Sequence, residues 1–197
     1  MIQSVDLAAK FSAVILRERS GQVVGQFDSR GLSPFQFAAK IGRTARECEM
    51  TVVEDVPYGI TQQGMVKPPL RFQGLVMMAC WKNIEDLYFL DPARWMNAFE
   101  GVRRIPKEQS DGMSKLQVQR QRELNMRNHA KQRGYEPPDL VQAYIDANPG
   151  KKILKKDTGP LEKNVTDYVA AFLISEFVIS QPRPSFVAHQ GVSPAYI

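Results

Sequence analysis

Three carboxylates stand where stability alone would not put them. Asp6 interrupts an apolar run between Val5 and Leu7, Glu54 closes the stretch Met50-Thr51-Val52-Val53, and Asp167 lies among Val165, Val169 and Ala170. Burying a bare carboxylate costs several kcal/mol, so each must be exposed, paired or bound to a cation. Converging carboxylates repel one another, and a divalent ion is the usual remedy. An all-oxygen donor set favours a hard ion such as Mg²⁺ or Mn²⁺. Each acid also has an ordinary reading. Asp167 in the first turns of a helix suits the helix dipole, Asp6 suits a turn, and Glu54-Asp55 suits a strand end in solvent. Their joint placement on successive core elements is what points to chemistry. Adjacent strand residues face opposite ways, so only one of Glu54 and Asp55 can look into a common site.

The elements that must position these acids follow from pattern. Residues 2–30 read as a three-stranded meander, turning at Arg19-Ser20-Gly21. Ser33-Pro34 offers an N-cap and a pre-set first helical residue for a helix with Phe37, Ile41 and Ala45 on one face. A fourth strand ends at Pro57 and Gly59. A flexible segment then leads to Pro68-Pro69 and a second helix from Leu70. That helix is apolar nearly all round, through Leu70, Phe72, Leu75, Val76, Met78, Ala79 and Trp81. It packs on a sheet and on something else, either more core or a second copy of the chain. Leu87 to Leu90 forms a fifth strand, and Asp91-Pro92 opens a short helix carrying Trp95. Asp139 to Asn148 is another short helix. Lys151 to Pro160 reads as a basic connector, and Leu161 to Ile179 as the final amphipathic helix. The order β-β-β-α-β-α-β-α predicts an α/β fold: a five-stranded mixed sheet flanked by helices on both faces. Residues 1–180 form one domain and 181–197 a flexible tail.

Charge is unevenly spread. The chain of 197 residues carries a net +5, and Arg103 to Arg133 alone holds nine basic against three acidic residues. Such a run can be a solvated helix face. Beside a carboxylate site it has a second use, because phosphates repelled by acids need compensating cations. Lys115, Arg120, Arg122, Arg127 and Lys131 are the candidate phosphate contacts. Tyr58, just past Glu54, could stack on an exposed base. Two cysteines and two histidines, all scattered, make neither a disulfide framework nor a zinc knuckle. No secretory signal pattern and no apolar run near 20 residues is visible, so the expectation is a cytoplasmic protein with reduced thiols.

The stretches SVDLAAKFSAVIL, TVVEDVPYG, LYFLDPARWMNAF, SKLQVQRQ and NVTDYVAAFLI resemble, in this order, the landmarks of RuvC-type Holliday-junction resolvases. The resemblance runs over roughly residues 2–179 and is carried by the order and spacing of short motifs. It implies a ribonuclease H-like fold and a homodimer acting on branched DNA. It also implies metal-dependent endonuclease activity with two Mg²⁺ (or Mn²⁺) ions per active site. Asp6, Glu54 and Asp167 take the places of the family's catalytic and metal-binding acids, which settles the choice between Glu54 and Asp55. Lys115 takes the place of the residue closest to the scissile phosphate. Three departures stand out. Leu7-Ala8-Ala9 replaces a glycine-bearing turn, Asn164 stands where the family has an acid or His, and residues 136–158 look like an insertion. Asp157 could supply a fourth carboxylate or simply cap a helix. Phage or mitochondrial versions of the family are the nearer comparison, with the bacterial host cytoplasm as the setting if phage-encoded. Another ribonuclease H-like nuclease or a non-catalytic junction-binding protein would share the same acids.

Overall fold

The computed structural model describes residues 1–7, 11–55, 63–150 and 152–181, with only the backbone of 63–69. Tyr58, the Ala8-Ala9 turn and the tail from 182 lie outside the described residues.

Five strands, β1 (Ile2–Asp6), β2 (Ala13–Arg17), β3 (Val23–Asp28), β4 (Met50–Glu54) and β5 (Leu87–Leu90), form one sheet in the order β3-β2-β1-β4-β5. β2 runs antiparallel to both its neighbours, whereas β1, β4 and β5 are parallel. Only β2 therefore opposes the rest, which is the ribonuclease H-like arrangement that the resemblance implied.

Strand alternation sorts the sheet's side chains into two cores. Val5, Val14, Val53 and Phe89 pack with Phe37, Ile41 and Val76 from α1 (Pro34–Ala45) and α2 (Gln63–Ala79). Ile2, Ile15, Val52 and Leu90 pack on the other face, against α7 (Lys155–Ser180). Around α7 lie α3 (Pro92–Asn97), α5 (Lys115–Gln132) and α6 (Leu140–Asp146), contributing Trp95, Met126, Ala130 and Leu140 to that core. The four-residue α4 (Lys107–Ser110) buries nothing.

The helix starts are written locally. Ser33 caps α1 and Ser114 caps α5, each accepting from the backbone of a glutamine three residues on, whose side chain returns the bond. Two helices begin earlier than their periodicity predicts. α2 starts at Gln63, so the part of the expected lead-in from Gln63 onward and Pro68-Pro69 lie within it, and it gives way at Cys80 to a 3₁₀ helix, Trp81–Asp86. α7 starts at Lys155 and runs through Pro160. Residues 155–160 of the expected basic connector therefore belong to this helix, and Pro160, its sixth residue, leaves the Lys156 carbonyl without the usual N–H partner four residues on. Asp157 accepts the Leu154 N–H at 3.1 Å and so caps this helix.

α7 is fastened to the sheet by polar contacts at three heights. Tyr168 donates to Asp28 Oδ2 at 2.7 Å, Ser4 Oγ to the Ala171 carbonyl at 2.7 Å, and Arg17 to Ser175 and Glu176. Apolar burial would tolerate a sliding helix; these directional bonds fix its register, and with it the position of Asp167. On the opposite face α1 and α2 touch at Gly42, where a Cβ would lie 2.7 Å from the Ala79 carbonyl carbon and nearer still to its oxygen. Gly42→Ala therefore forces the helices apart. The expected loss is about 1–3 kcal/mol of stability, measured by urea or thermal unfolding.

Candidate active site

β1 and β4 run parallel in a register that pairs Val5 with Val53, so the next residues, Asp6 and Glu54, emerge side by side at the strand ends. Both point to the face covered by α7. The adjacent Asp55 turns the other way and accepts from Gln73 of α2 at 2.9 Å. Asp55 thus meets a side-chain amide where a strand end in solvent is one expectation.

Asp6 is 6% exposed, and its carboxyl is held well above the usual range. Burial is the main cause, reinforced by the charge and hydrogen bond of Glu54 and by the charge of Asp167. Glu54 is raised by burial too, though less freely, since it accepts from Asp6 and from Trp95, which favours its charged form. The pair thus shares one proton, with Asp6 donating and Glu54 accepting. Trp95 Nε1–H donates to Glu54 Oε1 at 3.0 Å. That indole is fully buried, in a helix capped by Asp91, whose Oδ1 accepts the Ala93 N–H at 2.7 Å. Sequence reading noted Trp95 without this role; the Asp91-Pro92 helix start before it was the available signal.

Asp167 completes the acidic group at longer range. Its carboxyl is pushed up to about 7, by burial first and then by the charge of Glu54, with Lys163 opposing and Glu123 of α5 adding to the rise. Asn164 sits one turn earlier on α7 and is half-buried. Among the described residues, no three His, Cys, Asp or Glu side chains are gathered closely enough to hold a metal ion. Asp6 and Glu54 are the assembled part of the group, and Asp167 acts on them through its field. The donor chemistry nevertheless fits a hard divalent cation. Carboxylates that need a proton to coexist would accept such an ion in its place.

The basic candidates divide by orientation. Arg122 turns inward, donating to the Val102 carbonyl at 2.6 Å and lying against the Met96 sulfur. This bond ties α5 to the loop after α3 and takes Arg122 out of the set free to meet phosphate. Lys115, Arg120, Arg127 and Lys131 are exposed, with Arg127 also donating to the Glu162 carbonyl at 3.0 Å.

No family model matches the sequence, and no curated protein matches it. Two solved structures are similar to the chain over most of its length. One is T. thermophilus RuvC in complex with Holliday junction substrate, 11% identical with a TM-score of 0.47, the match covering 89% of this chain and 92% of that one. The other is a Thermus thermophilus RuvC structure, 14% identical with a TM-score of 0.45, covering 89% and 93%. The fold itself rests on the strand order and directions given above. No helix among the described residues is long and apolar enough to cross a membrane.

The raised carboxyls set a pH dependence. Folded Asp6, Glu54 and Asp167 bind protons more tightly than in the unfolded chain. Their contribution is therefore fully present below the ordinary carboxylate range and lost as pH rises through the folded values, near 7 for Asp167. Without divalent ions, Tm should fall between about pH 5 and pH 8. Asp6→Asn should flatten that slope and raise Tm at the alkaline end by roughly 4 °C. Mg²⁺ should raise the wild-type Tm and leave the Asp6→Asn protein unmoved, all by calorimetry.

Proposed function

We propose that this chain is a structure-selective endonuclease that cuts branched DNA of the Holliday-junction type. The observation that carries this reading is the buried Asp6–Glu54 contact at the ends of two parallel strands, with Asp167 on the covering helix near enough to raise its neighbour's proton affinity. Asp6, Glu54 and Asp167 would hold Mg²⁺ or Mn²⁺, two ions per site by the family resemblance. When bound, such ions lower the pKa of water and offset the charge that builds up on phosphorus during hydrolysis. The residues of the chain do the rest. Asp6 and Glu54 would give up their shared proton on holding the cation. Trp95 keeps one oxygen of Glu54 engaged, so the carboxylate presents a fixed orientation. The exposed cations of α5, with Lys115 nearest the scissile phosphate by resemblance, neutralise a backbone that the acids would otherwise repel.

A four-way junction has two-fold symmetry, and two equivalent cuts call for two equivalent sites, hence a homodimer. The α2 side supplies the candidate interface, since Met78 and Trp81 are 75% and 73% exposed there. Asn164 and residues 136–158 make the phage-like versions of the family the nearer comparison, which would put the protein in the cytoplasm of a bacterial host.

A second reading is favoured by one observation. With no three ligand-type side chains gathered among the described residues, the chain could bind junctions without cutting them. A labelled four-way junction incubated with the protein and Mg²⁺ separates the two. The nuclease reading expects paired nicks near the branch point, abolished by Asp6→Asn with binding retained; binding with no product at any Mg²⁺ or Mn²⁺ concentration supports the scaffold instead. Comparing flap and RNA–DNA hybrid substrates tests for other ribonuclease H-like activities. Sedimentation should show a dimer for the wild type and a monomer for Trp81→Glu.

A further inference from the structure

Five exposed residues of α5 fall on one line. At about 100° per residue, Leu116, Arg120, Leu124, Arg127 and Lys131 lie within an arc of about 80°. All five are exposed, while Met126 and Ala130 on the adjoining face are buried. The stripe passes Glu123, which senses the charge of Asp167, and ends at Lys131. There it meets a cavity of about 650 Å³, lined on one side by Gln22, Val23 and Gln26 of the edge strand β3 and its approach, and on the other by Lys131, Arg133 and Glu136. The walls are fixed in place. Tyr135 donates to Gln26 Oε1 at 2.9 Å and stacks flat on Phe172 at 4.3 Å between centroids. Arg133 is held by the His129 carbonyl and by Glu176. Lys131 makes no ion pair among the described residues and belongs to both stripe and cavity.

We infer that the stripe leads from the acids to this cavity and that the two together take the phosphate backbone of a duplex arm as it leaves the branch point. The inference rests on the nuclease reading of the acids. Lys131 lies about 12 Å along the helix from Glu123. The cavity end of β3 lies about 17 Å along the strand from Asp28, which shares a row with Ala13 and Asp6. At 3.4 Å per base pair, both spans place the contact about four to five base pairs from the branch. The cations suit phosphate without base readout. The two leucines are separated by Arg120 and form no continuous apolar patch of the kind a protein partner would need.

The test uses the whole chain without divalent ions and synthetic four-way junctions across a salt series. Counterion release gives one phosphate contact a worth of about eightfold in affinity near 0.1 M salt. Lys131→Gln should therefore weaken binding about eightfold and lower the slope of log K against log salt by about one. Neutral methylphosphonate linkages placed about four to five base pairs out on both strands of all arms should weaken the wild type equally, with no further effect on Lys131→Gln. The same linkages about 12 base pairs out should do nothing, and Arg43→Gln, on the α1 side of the sheet, should bind like wild type. Wild-type affinity and slope in Lys131→Gln, or additive losses with the methylphosphonates, would overturn the arm contact and leave the nuclease reading standing. A wild type that binds no junction at all would overturn both.

Discussion

Asp6 and Glu54 are forced together because β1 and β4 are parallel and in register, and two carboxylates in a dry site cannot both stay charged. A proton between them relieves the repulsion, and burial, more than any single charge, raises the affinity of both for it. This pair concentrates like charge and burial at the adjoining strand ends. Such a concentration is tolerated only where the surroundings over-determine the geometry. Here the surroundings are a parallel strand pair, a buried indole and a long helix laid across both.

The helix is held by polar groups that would be liabilities if unpaired. Ser4 and Arg17 face α7 from the sheet, and each finds a partner on it. On the opposite face Gln3, fully buried, donates to Thr44 at 2.7 Å and accepts from Thr51 at 3.1 Å. Each such bond adds only about 1 kcal/mol net, against a much larger total from apolar burial. Breaking one leaves a buried polar group unsatisfied, so they act mainly against alternative registers. A one-turn slip of α7 would carry Asp167 about 5 Å from the pair, and it would break the contacts of Tyr168, Ala171 and Ser175 together.

Charge is segregated with the same logic. The acids that matter lie inside, at the strand ends, while the cations of α5 lie on its outer face. The exceptions are informative. Arg17 is buried only because Glu176 meets it and the Phe172 ring lies under its guanidinium, and Arg122 points inward to a carbonyl. Neither is available to a polyanion, although both look identical to the exposed arginines in sequence.

Much of this was legible in the residues themselves. Alternation and turn chemistry give the meander, Ser33-Pro34 marks a helix start, and the β/α order dictates a mixed sheet, because these signals act over a few neighbouring residues. Asp6 and Glu54 were legible as misplaced charges for the same reason. Other features depended on contacts between residues far apart in the chain. α2 and α7 begin before their periodic stretches, and Pro160, which argues locally for a connector, lies inside a helix that is anchored to the sheet. The division of Arg122 from Arg120 and the bond from Trp95 to Glu54 join positions tens of residues apart. Which way a side chain turns depends on the partner it meets, and only the packed sheet and helices supply that partner.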